Sequence, residues 1–209
     1  MEAVSDPRAD VPNPWLTPAA DIDVPTPAAP KKRSPDERGP KRPQSRVPAP
    51  DVVDRLAHRP VQAQGVWLVG VHGGAGTSTL RCVLPGSADA DRAWPFYANQ
   101  AARATVLLVA RTSAHGLSRA QTAAQEWAAS TTPHINLLGL ALVPDAPGRL
   151  PRALRNLVQL VSGGVPRVWT LPWHEPWRLG HPATPESAPP QYRKLADDVS
   201  RLTPTTNER

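Results

Sequence analysis

The chain has 209 residues, room for one domain with extensions, yet 27 are proline, which excludes a uniformly packed chain. Its formal net charge of +6 admits an acidic partner. A single cysteine, Cys82, excludes an internal disulfide, and six scattered histidines offer no metal-ligand spacing, so no metal site is expected.

The chain opens on a polar, acidic stretch, "MEAVSDPRAD", unlike a secretory leader, and with one cysteine this leads to the expectation of a cytoplasmic protein. No apolar run has the length of a membrane-spanning helix, so no membrane insertion is expected. Residues 1–60 alternate Pro, Ala, Asp and basic residues without apolar periodicity and are expected to be a disordered, Pro-rich basic tail. Within it "NPWLTP" displays Trp15 and Leu16 among prolines. That is the form of a short protein-docking segment, or an aromatic present by chance. Lys31, Lys32, Arg33, Arg38, Lys41, Arg42 and Arg46 are offset only by Asp36 and Glu37. The run Lys31–Arg46 is therefore either a surface for nucleic acid or another polyanion, or a solvated tail.

From Val66 the texture changes. "VWLVGV" (66–71), "TVLLVA" (105–110), "INLLGLALV" (135–143) and "RVWTL" (167–171) are short apolar runs suited to strands buried on both faces. Between them, Leu117, Ala120, Ala124 and Trp127, then Leu154, Leu157, Val158 and Val161, recur at helical spacing. Pro151 suits the first turn of the second helix, and Gly163 and Gly164 its stop. Strands alternating with helices predict an α/β fold, a small parallel sheet of four or five strands flanked by helices, over residues 62–178. Residues 179–209 read as a second Pro-rich, disordered extension carrying a short helix around "QYRKLADDVSRL". Between residues 77 and 104 the chain provides only a short helix, "TSTLRCVL", and then "SADADRAWPFYANQ", in which no strand is clear.

The loop "VHGGAGTSTL" holds Gly73, Gly74 and Gly76. Glycines accept positive φ, so successive N–H groups can turn inward as an anion-binding nest, and a following helix start adds its partial positive charge. The spacing Gly70, Gly74, Gly76 also fits the fingerprint of short-chain dehydrogenases. Neither Tyr97 nor Tyr192 has a lysine four residues on, as those enzymes require, which excludes that chemistry.

"HGGAGTST" resembles the deviant P-loop of the ParA/MinD superfamily, Lys-Gly-Gly-x-Gly-Lys-Thr/Ser-Thr/Ser. His72 stands at the first lysine; Gly73, Gly74 and Gly76 match; Ala75 is the free position; Thr77 replaces the main lysine; Ser78 and Thr79 match the hydroxyl pair. The resemblance runs over about 66–171. With "DAPGRLPRALR" and "PRVWTLPWHEPWRLG" the whole is similar to an uncharacterised actinobacterial family with a degenerate P-loop. It implies a P-loop NTPase-like fold and a nucleotide, ATP or GTP, held weakly by Gly73, Gly74, Ala75, Gly76, Thr77, Ser78 and Thr79.

Two departures bear on chemistry. Both lysine positions are lost, and no lysine lies between Lys41 and Lys194. A charge-assisted phosphate contact contributes about 1.5–3 kcal/mol, so its loss weakens binding about 10- to 100-fold and turnover more. No apolar strand ends in an Asp suited to Mg²⁺; Asp89 and Asp91 are the only acids nearby, with no strand expected before them. Arginine can compensate, with Arg111, at the end of the second long strand, the chosen phosphate partner ahead of Arg81, Arg149 and Arg152. Ser78, Ser113 and Ser118 lack a nucleophile elbow, and no catalytic residue is assigned. Trp169, Trp173 and Trp177 either close a core edge or form a partner patch. Two functions stay open: a non-catalytic adaptor or regulatory component, and a nucleotide-binding switch or slow ATPase using backbone amides and arginine. DNA association through the basic tail is a third, resting on family analogy and charge.

Overall fold

A computed structural model describes residues 39–44, 46–62, 64–98 and 102–203. Trp15 and the cations Lys31, Lys32, Arg33 and Arg38 lie outside them. Lys41, Arg42 and Arg46 are exposed.

The strands are β1 (Ala57–Val61), β2 (Val66–Gly70), β3 (Ser87–Asp89), β4 (Ala93–Tyr97), β5 (Ala104–Arg111), β6 (Ile135–Val143) and β7 (Val168–Thr170). The helices are α1 (Thr77–Val83), α2 (Ala114–Ala128), α3 (Arg152–Ser162), α4 (Glu175–Arg178) and α5 (Pro190–Leu202). Five strands form a parallel sheet in the order β3-β2-β5-β6-β7, and β1 and β4 pair in parallel as a separate two-stranded sheet. The fold is α/β with a parallel five-stranded sheet flanked by helices, as the alternating pattern predicts.

Both faces of the sheet are covered, which is why its strands are apolar throughout. Alternate residues of β5 serve opposite layers. Val106, Leu108 and Ala110 join Leu117, Ala120 and Trp127 of α2 and Val161 of α3. Leu107 and Val109 join Leu80 and Val83 of α1 and Tyr192, Leu195 and Val199 of α5. In β6 the parity changes partway: Ile135 and Leu137 face the α2 layer, then Leu140 and Leu142 do. The register slips between Val106 and Leu107, where β6 carries an additional residue. Gly139, at φ +154°, absorbs this bulge, because a Cβ there would run into Arg167 O and lie 2.8 Å from Trp169 Cζ3.

Two expected boundaries move. The chain is packed before residue 62: Gln44 N–H donates to Ala128 O (2.8 Å), Val47 packs against the α2 layer, Leu56 is buried and β1 pairs with β4. It is also packed after 178, because α5 contributes Tyr192, Leu195 and Val199 to the second layer. The stretch read as strandless, "SADADRAWPFYANQ", holds both β3 and β4. These are short and polar or interrupted by Pro95, as tolerated where a strand has one neighbour.

Glu126 joins the two sheets. Its side chain is fully buried on α2, with Oε1 accepting from Leu56 N–H (2.9 Å) and Oε2 from Trp94 Nε1–H (2.7 Å). Burial pushes its carboxyl above the ordinary value, opposed by those two donors and by nearby His58 and Arg55.

Candidate functional site

The carboxyl ends of β2 and β5 define the functional edge. The helix after β2 packs on one face and the helix after β5 on the other, so a crevice opens between these strand ends, where ligands of such sheets bind. The glycine loop occupies it.

The loop turns on Gly74 (φ +73°) and Gly76 (φ +104°). Gly73 and Gly74 are exposed, with open space where a Cβ would sit, while Ala75 is buried and holds the loop to the core. Leu80 N–H donates to Gly76 O (3.0 Å), and no side chain at the Gly76 cap bonds the helix start. The amides of Thr77, Ser78 and Thr79 thus begin the helix without intrahelical acceptors.

His72 stands where the resemblance expects the first lysine, and its imidazole is committed. Arg111 N–H, which can only donate, bonds Nε2 at 3.0 Å, so Nδ1 carries the proton toward Gly73 O at 2.8 Å. The ring is a strut between the loop and β5. Gly116 permits it: a Cβ there would run into Arg111 O and lie 2.9 Å from His72 Nε2.

Arg111 Nε donates to Gly74 O (3.1 Å) and Nη1 to Pro144 O (2.6 Å). One guanidinium therefore ties the glycine loop to the segment after β6, with its other N–H groups left over for a ligand. Thr112, which is buried, bonds the same segment: Asp145 N–H donates to Thr112 Oγ1 at 3.2 Å.

Two cavities flank this junction and share His72, Gly73, Gly74, Gly76 and Arg111. The larger, about 560 Å³, is bounded by Thr79 and Leu80 of α1, by Pro144 and Asp145, and by Pro172, Trp173, His174, Trp177 and Tyr192. The smaller, about 400 Å³, runs past Thr77 and Ser78 to Asp89, Asp91 and Arg92. The predicted residues Gly73, Gly74, Ala75, Gly76, Thr77, Ser78, Thr79 and Arg111 are thereby brought together along one surface. Arg81, Arg149 and Arg152 line neither cavity.

Asp89 calls for a correction. It ends β3, which pairs directly with β2, so a strand does precede this acid, and it lines the smaller cavity, as Ser78 does. Asp89 Oδ1 accepts from Asp91 N–H at 3.0 Å, and Asp91 pairs with Arg59. Among the described residues no three His, Cys, Asp or Glu side chains gather as a metal site.

The three tryptophans separate. Trp169 is buried in β7, its Nε1 donating to Asp198 Oδ2 (3.0 Å). Burial favours the neutral form of Asp198, but this bond with Lys194 and Arg201 holds its carboxyl below the usual range. Trp177 sits edge-on between His174 (4.6 Å) and Tyr192 (4.8 Å), and its buried Nε1 has no partner among the described residues. Tyr192 OH donates to Pro172 O (3.3 Å), and burial pushes the phenol up to about 12 against the charge of Arg111. Trp173 and Trp177 wall the larger cavity without filling it, and Trp169 does not reach it.

Asp145 and Tyr192 were not singled out from the sequence as site residues, and Trp173 was read only as part of a core edge or partner patch. The available signal was a Pro-rich run directly after β6 and β7, where loops at the ligand-binding edge begin.

A family model described as a family of unknown function (DUF6668) matches residues 63–196, so the chain belongs to that family. No curated protein and no solved structure matches it.

Proposed function

We propose that this chain is a degenerate P-loop protein of ParA/MinD-like ancestry that binds a nucleoside phosphate through backbone amides and Arg111 and hydrolyses it slowly or not at all. It works as an adaptor or regulatory component rather than an enzyme. The observation that carries this reading is the larger cavity, with a glycine loop and uncapped helix start on one side and Trp173, Trp177 and Tyr192 on another. Its volume suits a nucleotide, since small-molecule sites span about 300–1,000 Å³. Amides and an arginine bind phosphate anions; aromatic faces accept a base.

The chemistry of turnover has less support. Thr77 and His72 stand where the resemblance expects lysines, and His72 has both nitrogens occupied within the protein. A switch with slow turnover is favoured by one observation: Asp89 and Ser78 line the same smaller cavity, a carboxylate and a hydroxyl of the kind that would hold a hydrated Mg²⁺ accompanying a nucleotide.

Calorimetric titration of the full chain with Mg-ATP, Mg-GTP and Mg-ADP tests the reading. Binding abolished by Gly76→Asp, with negligible phosphate release, is the expected result. No binding at millimolar nucleotide refutes the site, and rapid hydrolysis refutes the adaptor role.

A further inference from the structure

Which base the larger cavity takes is written in Asp145. Resting on the nucleotide reading above, with phosphates at the glycine loop, the base lies toward the segments after β6 and β7. Those segments bring Pro144, Asp145, Trp173, His174 and Trp177 to the cavity. The aromatic groups offer stacking faces, which every base satisfies. Asp145 is the carboxylate on this lining, and an ionised carboxylate accepts hydrogen bonds only.

The segment carrying it is held from both sides. Asp145 N–H is bonded to Thr112 Oγ1 at 3.2 Å, and the preceding carbonyl, Pro144 O, to Arg111 Nη1 at 2.6 Å. Its carboxylate makes no ion pair or hydrogen bond within the described residues. The backbone around Asp145 is thus held, and its exposed carboxylate is open to a ligand edge bearing two adjacent donors.

We propose that Asp145 selects guanine, accepting from its N1–H and N2–H groups. Adenine and cytosine each set a ring-nitrogen lone pair beside the amino donor, which a carboxylate repels. Uracil offers one N–H between two carbonyls. Guanine alone among the four presents adjacent donors. Arg111 then ties the phosphate loop to the segment carrying Asp145, since the same guanidinium bonds Gly74 O and Pro144 O.

Titration of the full chain with Mg-GDP, Mg-ADP, Mg-IDP and Mg-XDP tests this. GDP should bind at least about tenfold more tightly than ADP, the scale of one charge-assisted hydrogen bond. IDP, lacking the 2-amino group, should fall between them. Asp145→Asn should lose the GDP preference and gain affinity for XDP, whose C2 carbonyl accepts from the new amide; a gain of binding also demonstrates a folded variant. Equal affinities for GDP and ADP, or a GDP preference that survives Asp145→Asn, overturn the assignment while leaving nucleotide binding intact. Failure of every nucleotide to bind overturns the nucleotide reading itself and this assignment with it.

Discussion

Glu126 offers the sharpest test of how the two sheets are joined. Replacing it with alanine removes the acceptors of Leu56 N–H and Trp94 Nε1–H, held at 2.9 and 2.7 Å. Trp94 is fully buried and Leu56 nearly so, so water does not readily replace the carboxylate. A buried donor left unpaired costs about 1–3 kcal/mol; two such donors put Glu126→Ala at about 2–6 kcal/mol less stable. Glu126→Gln keeps one acceptor and turns its amide against the other donor, for about 1–3 kcal/mol. Combining Glu126→Gln with Trp94→Phe, which deletes one donor, should cost less than the sum of the two. Urea unfolding at pH 7 measures each. The pH dependence has a definite sign. Burial raises the folded-state pKa of Glu126 above 4.5, so the folded chain binds more protons at this site than the unfolded chain. Its contribution is fully present below 4.5 and is lost as pH rises through the raised value. The stability of the wild type relative to Glu126→Gln should therefore fall across that window and flatten above it. Glu126→Ala within about 0.5 kcal/mol of wild type, the range of featureless surface changes, or a rise across the window, refutes the reasoning.

Gly116→Ala should push α2 away from His72 and distort the glycine loop, since the new Cβ meets Arg111 O and His72 Nε2; nucleotide affinity should fall at least about tenfold, and unchanged affinity contradicts the strut. Gly139→Ala places a Cβ against Arg167 O and the Trp169 ring and should lower stability by about 2–4 kcal/mol, read from urea midpoints. Thr77→Lys places a cation at the head of α1 and should tighten Mg-nucleotide binding about 10- to 100-fold; calorimetry showing no gain counts against a phosphate at this loop. For the basic tail, removing residues 1–38 should flatten any salt-dependent DNA binding, read from the slope of log K against log salt; a slope untouched by truncation assigns that binding elsewhere.

Local chemistry made the centre of this fold legible. β2, β5 and β6 are buried on both faces, so apolar runs such as "VWLVGV" and "INLLGLALV" marked them, and helical spacing at Leu117, Ala120 and Trp127 marked α2. The glycine loop was readable because Gly74 and Gly76 adopt backbone angles that few other residues tolerate. The periphery was harder. β1 has exposed residues and a proline, and β4 carries Pro95; each is specified by its partner, not by its own pattern. β3 is three residues long, below what periodicity resolves.

The amino-acid sequence by itself determined the parallel βαβ core, the loop at its edge and the absence of lysine from it, because these follow from periodicity, backbone freedom and residue identity. Tertiary structure alone decided that Glu126 clips β1 and β4 to the domain, that α5 lends Tyr192 to the cavity, and that Arg111 and His72 brace the loop. Each joins residues far apart along the chain, and such contacts form only when the core brings their carriers together.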